Sequence, residues 1–183
     1  MSGPIETVVL HGGLTLEVFE DADAVARHGA GWLAGALTRI VRRDGRCTLA
    51  ISGGRSPWAM FRMLAEMPQV PWDGVQVVQV DEREAPDGDA ARNWTNAEEV
   101  FGACPGVSLY PMPVTAPDRE AAASAYARTL DHLCGGVPDI CHLGLGEDGH
   151  TASLFPDDPV HQVVDRPVAW TTGLHGGHRR MTL

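Results

Sequence analysis

An aspartate and a histidine two residues apart, Asp148 and His150, stand in the glycine-rich run Leu143-Gly144-Leu145-Gly146-Glu147-Asp148-Gly149-His150-Thr151-Ala152-Ser153-Leu154-Phe155-Pro156. An imidazole with an unperturbed pKa of about 6.5 can take a proton from water near neutral pH, and a nearby carboxylate orients the ring and stabilises its charged form. A lone histidine is more often structural. Here the glycines, the aspartate and the position at the end of an apolar run favour a general base. A second run, Ile51-Ser52-Gly53-Gly54-Arg55-Ser56-Pro57, joins an apolar stretch to a helix start. A glycine-rich turn there exposes backbone N–H groups beside the positive end of a helix dipole, which suits a phosphate; the alternative is that the glycines only make a tight turn. The GxxxxGK[ST] spacing of a nucleotide loop is absent. In the third run, Val80-Asp81-Glu82-Arg83, Asp81 can accept hydrogen bonds from sugar hydroxyls or hold a basic partner, and Arg83 can fork onto phosphate or carboxylate oxygens. The alternative is a solvated loop with a surface ion pair.

These groups need elements to hold them. Over residues 23–43, Val25, Trp32, Leu33, Leu37, Ile40 and Val41 recur near the 3.6-residue period of a helix with one buried face. Residues 47–51 are short and continuously apolar, as a strand covered on both faces is. A second helix is expected from Ser56-Pro57, with Ser56 as N-cap, Pro57 in the first turn, and Met60, Phe61 and Leu64 facing inward. Residues 75–80 and 139–143 read as further buried strands, and 95–101 and 119–134 as helices, the latter with Tyr126, Leu130 and Leu133 inside. The proline-rich stretch 105–117 reads as a connection, and 161–178 as irregular. Helices alternating with short buried strands predict an α/β fold: a three-layer, Rossmann-like arrangement with a mainly parallel sheet flanked by helices. Each of the three chemical runs then follows a strand, at the carboxyl edge where parallel sheets place ligands.

The chain has 183 residues, enough for one core, and a net charge of −10, which opposes nucleic-acid binding and requires a local basic pocket for any anionic ligand. No apolar run reaches the roughly 20 residues of a membrane span, and residues 1–7 lack a secretory pattern, so a cytoplasmic location with no membrane partner is expected. Cys47, Cys104, Cys134 and Cys141 show no CxxC spacing and read as buried thiols. His142, His150, His161, His175 and His178 are conceivable metal ligands, but none has HExxH or paired Cys/His spacing, so no metal is expected.

The three runs, in order, resemble the 6-phosphogluconolactonase family and its relatives the glucosamine-6-phosphate deaminases: Ser52 to Pro57, Val80 to Pro86 followed by Ala91-Arg92-Asn93-Trp94, and Gly144 to Pro156. The resemblance covers nearly the whole chain, including Arg180-Met181-Thr182-Leu183, which is similar to the opening of a family strand. It implies hydrolysis of 6-phosphoglucono-1,5-lactone to 6-phosphogluconate in the oxidative pentose phosphate pathway, without a cofactor. His150 resembles the family's base, with Asp81 and Asp148 as carboxylates that bind hydroxyls or orient the site. Gly53, Gly54, Arg55, Ser56, Arg83, Asn93, Gly146 and Arg180 fall in the substrate-binding set, and the ligand is a small phosphorylated sugar lactone. Family members continue into further strands, a closing helix and a basic contact residue. On that reading residues 1–183 are one lactonase-type domain, acting as a monomer, without those parts.

The deaminase relatives carry a glutamate five residues after the histidine, where this chain has Phe155, and tend to read Asp-Glu-Tyr where it has Asp81-Glu82-Arg83. Both differences favour the lactonase branch. Other departures from the family pattern are Arg92 before Asn93, Glu84, and His142 in an otherwise apolar run. The competing readings are a glucosamine-6-phosphate deaminase-like enzyme and a catalytically silent sugar-phosphate-binding protein. In the lactonase reading His150 takes a proton from the attacking water and then protonates the departing ring oxygen, with backbone N–H groups around residues 144–149 as candidate oxyanion donors.

Overall fold

The computed structural model describes residues 3–54 and 56–183, so the expected contact from Arg55 lies outside the described residues. Among the described residues four α-helices, α1 (Ala22–Asp44), α2 (Pro57–Ala65), α3 (Asn93–Phe101) and α4 (Arg119–Cys134), are interspersed with nine strands. These are β1 (Glu6–Val9), β2 (Thr15–Val18), β3 (Cys47–Ile51), β4 (Val75–Gln79), β5 (Asp81–Arg83), β6 (Ser108–Tyr110), β7 (Ile140–Cys141), β8 (Ala169–Trp170) and β9 (Arg180–Thr182). The central sheet runs in the order β6-β4-β3-β7 with every neighbour pair parallel. Side chains alternate across a strand, and β3 divides accordingly: Cys47, Leu49 and Ile51 join one core with α1, α2 and α3, while Ala50 joins the other with α4. Val75 and Val77 of β4 likewise face the first core, and Val78 the second. Two cores on opposite faces of one sheet make the three layers that the residue pattern predicts. Among the described residues no helix is long and apolar enough to cross a membrane.

Several local expectations are corrected. In α1, Val25 and Trp32 are exposed, and the buried stripe is built from Ala30, Leu33, Ala34 and Leu37, whose small members let the helix lie close to the sheet. The strand expected over 139–143 shortens to β7 because it borders only β3; Cys141 is exposed, and Asp139 instead accepts the Thr48 N–H at 2.7 Å. Ser56 has helical dihedrals and makes no side-chain cap to α2. The stretch 105–117 contains β6, and 161–178 contains β8 and a tight turn closed by His175 N–H on the His178 carbonyl at 2.9 Å. The β1–β2 hairpin is a further addition.

The run Asp81-Glu82-Arg83 is neither a loop nor solvated. It forms β5, the edge of a small antiparallel sheet ordered β5-β9-β8, with Asp81 opposite Thr182, Glu82 opposite Met181 and Arg83 opposite Arg180. Val80 alone separates β4 from β5, and the bend there carries the charges from the central sheet onto a second one, where Glu82 becomes fully buried.

Candidate active site

The ends of β3 and β4, β5, the N-terminus of α3, the loop after β7 and β9 converge on a cleft of about 300 Å3. His150 and Asp148 come from the loop after β7, where the Gly146 N–H donates to the His150 carbonyl at 2.8 Å and closes a turn. Nδ1 of His150 lies 2.5 Å from Asp148 Oδ1, and that contact holds the Asp148 carboxyl below its ordinary range. A proton on Nδ1 shared with Asp148 leaves the lone pair on Nε2, the form a general base needs. The loop can bring the ring this close to its own backbone only because residue 146 has no side chain: a Cβ there would lie 2.2 Å from His150 Nδ1.

Asp81 stands on the other side of the cleft, buried, with Oδ2 accepting from the Ser153 hydroxyl at 2.7 Å and Asn93 Nδ2 donating to its carbonyl at 3.1 Å. Burial pushes its carboxyl above the usual carboxylate range, while the Ser153 bond and the charges of Arg83 and Arg180 oppose that rise. Arg180 Nη1 is 3.8 Å from Asp81 Oδ2. Asn93 opens α3 and rests against Gly53, where a Cβ would fall 1.7 Å from Asn93 Oδ1, so the turn after β3 and the start of α3 interlock.

Two guanidinium groups face the same space. Arg83 donates from Nη1 to the Ala91 carbonyl at 2.7 Å, and its Nε is buried without an acceptor among the described residues. Arg180 donates from Nε and Nη2 to the His175 carbonyl at 3.2 and 3.0 Å. As partners in the β5–β9 register they are directly opposed; burial lowers the pKa of Arg180, and the Arg83 charge lowers it further. Arginine remains protonated at neutral pH, so the pair forms a positive locus suited to an anion in a chain whose net charge is negative.

The structure therefore brings together His150, Asp148, Asp81, Gly53, Gly54, Ser56, Arg83, Asn93, Gly146 and Arg180. The N–H groups of Gly146 and Gly149 are already engaged within the turn, which withdraws them as oxyanion donors. Sequence reasoning missed Glu82, which accepts the Arg83 and Asn93 N–H groups through Oε1 and the Trp94 N–H and Gln79 Nε2 through Oε2, all at 2.8 Å. It thereby caps α3, whose own N-cap residue Arg92 supplies no side-chain bond, and fixes Asn93 in the cleft. Arg92 Nε lies 3.1 Å from Glu82 Oε2, close enough for an ion pair but off the line of a hydrogen bond. No spacing rule announces a buried carboxylate that caps a helix 11 residues away. The other candidate histidines have separate partners: His142 Nδ1 meets Ser52 at 3.0 Å, His161 Nδ1 the Asp158 carbonyl, His175 Nε2 the Asp158 carboxylate at 2.9 Å and His178 Nδ1 the Glu84 carbonyl. Among the described residues no three His, Cys, Asp or Glu side chains converge as a metal-binding group.

The family described as glucosamine-6-phosphate isomerases/6-phosphogluconolactonase matches residues 20–183. The chain is 38% identical over 155 residues to the human GDH/6PGL endoplasmic bifunctional protein, covering 79% of this chain and 20% of that protein. It is 35% identical over 159 residues to a 6-phosphogluconolactonase of Synechocystis, covering 80% of this chain and 63% of the relative, so it spans less than two thirds of either. A solved 6-phosphogluconolactonase from Shewanella baltica shares the fold, with a TM-score of 0.81 at 24% identity over 90% of this chain and 72% of that one.

Proposed function

The chain belongs to the family of glucosamine-6-phosphate isomerases and 6-phosphogluconolactonases, and from that premise we propose that it hydrolyses 6-phospho-D-glucono-1,5-lactone to 6-phospho-D-gluconate. Water attacks the lactone carbonyl carbon while Nε2 of His150 takes one of its protons. The tetrahedral intermediate then collapses with cleavage of the bond to the ring oxygen, which receives that proton from His150. Asp148 holds the imidazole in the required tautomer, Arg83 and Arg180 hold the phosphate, and Asp81 and Asn93 meet sugar hydroxyls.

The observation that carries this reading is the Asp148-oriented imidazole lying in the same small cleft as two opposed arginines. Every one of the 14 basic residues of the chain is an arginine, so phosphate recognition by this chain relies on forked guanidinium contacts. The lactonase branch is favoured over the deaminase branch by Phe155, whose ring lies 4.4 Å from that of His150, in the position where deaminases carry a proton-handling glutamate.

The test is a comparison of lactone hydrolysis, corrected for the spontaneous reaction, with release of ammonia from glucosamine 6-phosphate. Lactone turnover without ammonia release is the expected result, with His150→Ala reducing it at least about 10²-fold in a protein that still folds. Ammonia release alone, binding without turnover of either compound, or a His150→Ala variant at near-normal rate would overturn the reading.

A further inference from the structure

One cluster beside the cleft has no part in the chemistry just described. Asp158, buried to 2% exposure, accepts the Val160 and Thr172 N–H groups through Oδ1 at 3.0 and 3.1 Å. Its Oδ2 accepts the Gly173 N–H and lies against His175 Nε2, both at 2.9 Å. The carboxylate thus pins residues 172–175 and holds the His175 ring by its Nε2. That ring lies flat on Phe155, with centroids 3.7 Å apart and planes 6° apart, and Phe155 in turn packs on His150 at 4.4 Å. The backbone carbonyl of His175 receives both Arg180 bonds, and the Arg180 guanidinium lies 5.3 Å from the centre of the Phe155 ring.

His150 needs such support. Its partner Asp148 is half exposed, and one hydrogen bond at Nδ1 leaves the ring able to swing about its side-chain torsions. A flat aromatic wall removes that freedom only if the wall itself cannot turn. Phe155 has no polar atom to anchor it, and the His175 ring stacked flat against it is what blocks its rotation. We propose that His175 is a positioning residue, holding the His150 ring through Phe155 in the orientation for proton transfer. For its catalytic consequence this rests on the lactonase reading; as a statement about the His150 ring it stands apart from it.

The experiment compares His175→Ala with His175→Phe, which keeps a flat ring against Phe155 but drops the bond to Asp158. Misplacement of a reacting group by about 1 Å can cost on the order of 10²-fold. His175→Ala should therefore lower kcat about tenfold or more while KM moves less than about threefold, and His175→Phe should recover most of kcat. A role in stability alone predicts that both variants are less stable, with kcat of the folded fraction unchanged. In parallel, the imidazole resonances of His150 in histidine-labelled protein should shift or broaden in His175→Ala and return toward the parent values in His175→Phe. A folded His175→Ala protein with parental His150 resonances and kcat within about twofold overturns the proposal. So does a folded His175→Phe variant whose kcat falls about tenfold or more, an outcome that decides the matter even if His175→Ala does not fold. Should the parent protein not hydrolyse the lactone, the functional reading falls while the resonances still decide whether His175 sets the His150 ring.

Discussion

Replacing Glu82 by Gln conserves shape and removes one charge, and the structure predicts a large penalty. If the amide oxygen takes the place of Oε1, the Arg83 and Asn93 N–H groups keep their acceptor, but the new NH2 meets Gln79 Nε2 and the Trp94 N–H donor to donor. Gln79 cannot turn its amide over to help, because its oxygen accepts the Met112 N–H at 2.8 Å. Each buried donor left without an acceptor costs about 1–3 kcal/mol. Arg92, itself buried, would also lose its close counter-charge, an effect worth about 3–5 kcal/mol where nothing compensates. Its remaining contacts to Asp87 and the Ala85 carbonyl place that loss at the lower end. Allowing for overlap, Glu82→Gln should destabilise by about 3–6 kcal/mol, and at roughly 2–4 °C per kcal/mol for a chain of this size Tm should fall by about 6–24 °C. Denaturant unfolding with an unchanged m-value would measure it. A loss below about 1 kcal/mol would refute the claim that this carboxylate caps α3 and carries Asn93.

Three further outcomes are expected. Arg83→Ala should weaken binding of the phosphorylated lactone about tenfold to a hundredfold, the range of a hydrogen bond to a charged group, and glucono-1,5-lactone much less; equal losses in KM for the two compounds would exclude phosphate contact. Gly146→Ala should displace the His150 ring, lowering kcat about 10²-fold while costing about 1–3 kcal/mol of stability, and a normal kcat would contradict the contact of that position with Nδ1. The Asp158 carboxyl, which burial alone would push up, is held well below the ordinary carboxylate range by the Gly173 N–H, His175 and the Thr172 and Val160 N–H groups. A depressed folded pKa contributes stability that is complete above the unfolded value of about 4 and is lost as pH falls through the folded value. The stability gap between the parent and Asp158→Asn should therefore narrow below about pH 4, and a gap constant from pH 7 to pH 3 in unfolding titrations would show that Asp158 is not the group responsible.

The elements that the residues announce are those with strong local signals. Arg119–Cys134 is legible because its apolar spacing is helical and Asp118 caps it, accepting the Ala121 N–H at 3.0 Å; Cys47–Ile51 is legible because both its faces are covered. The strand order and the passage from β4 into β5 are not, since a three-residue charged strand owes its existence to β9, about 100 residues away. For the same reason the carboxyl-edge position of the three chemical runs is legible, whereas the company they keep there is not. Glu82, Ser153, Asp158 and His175 acquire their surroundings only from the fold. Val25 and Trp32 mislead because alanines, which carry little hydrophobic signal, supply much of the buried face of α1.

Opposition of Arg83 and Arg180 across β5 and β9 has a thermodynamic side. Like charges facing each other on adjacent strands work against the very pairing that builds this small sheet. Any dianion that settles between them both gains their attraction and cancels their repulsion, so occupancy of the cleft and the integrity of the β5–β9 ladder become linked quantities. Buffer composition then enters the stability of this protein directly: inorganic phosphate should act as a folding ligand, and its influence should vanish when either arginine is made neutral.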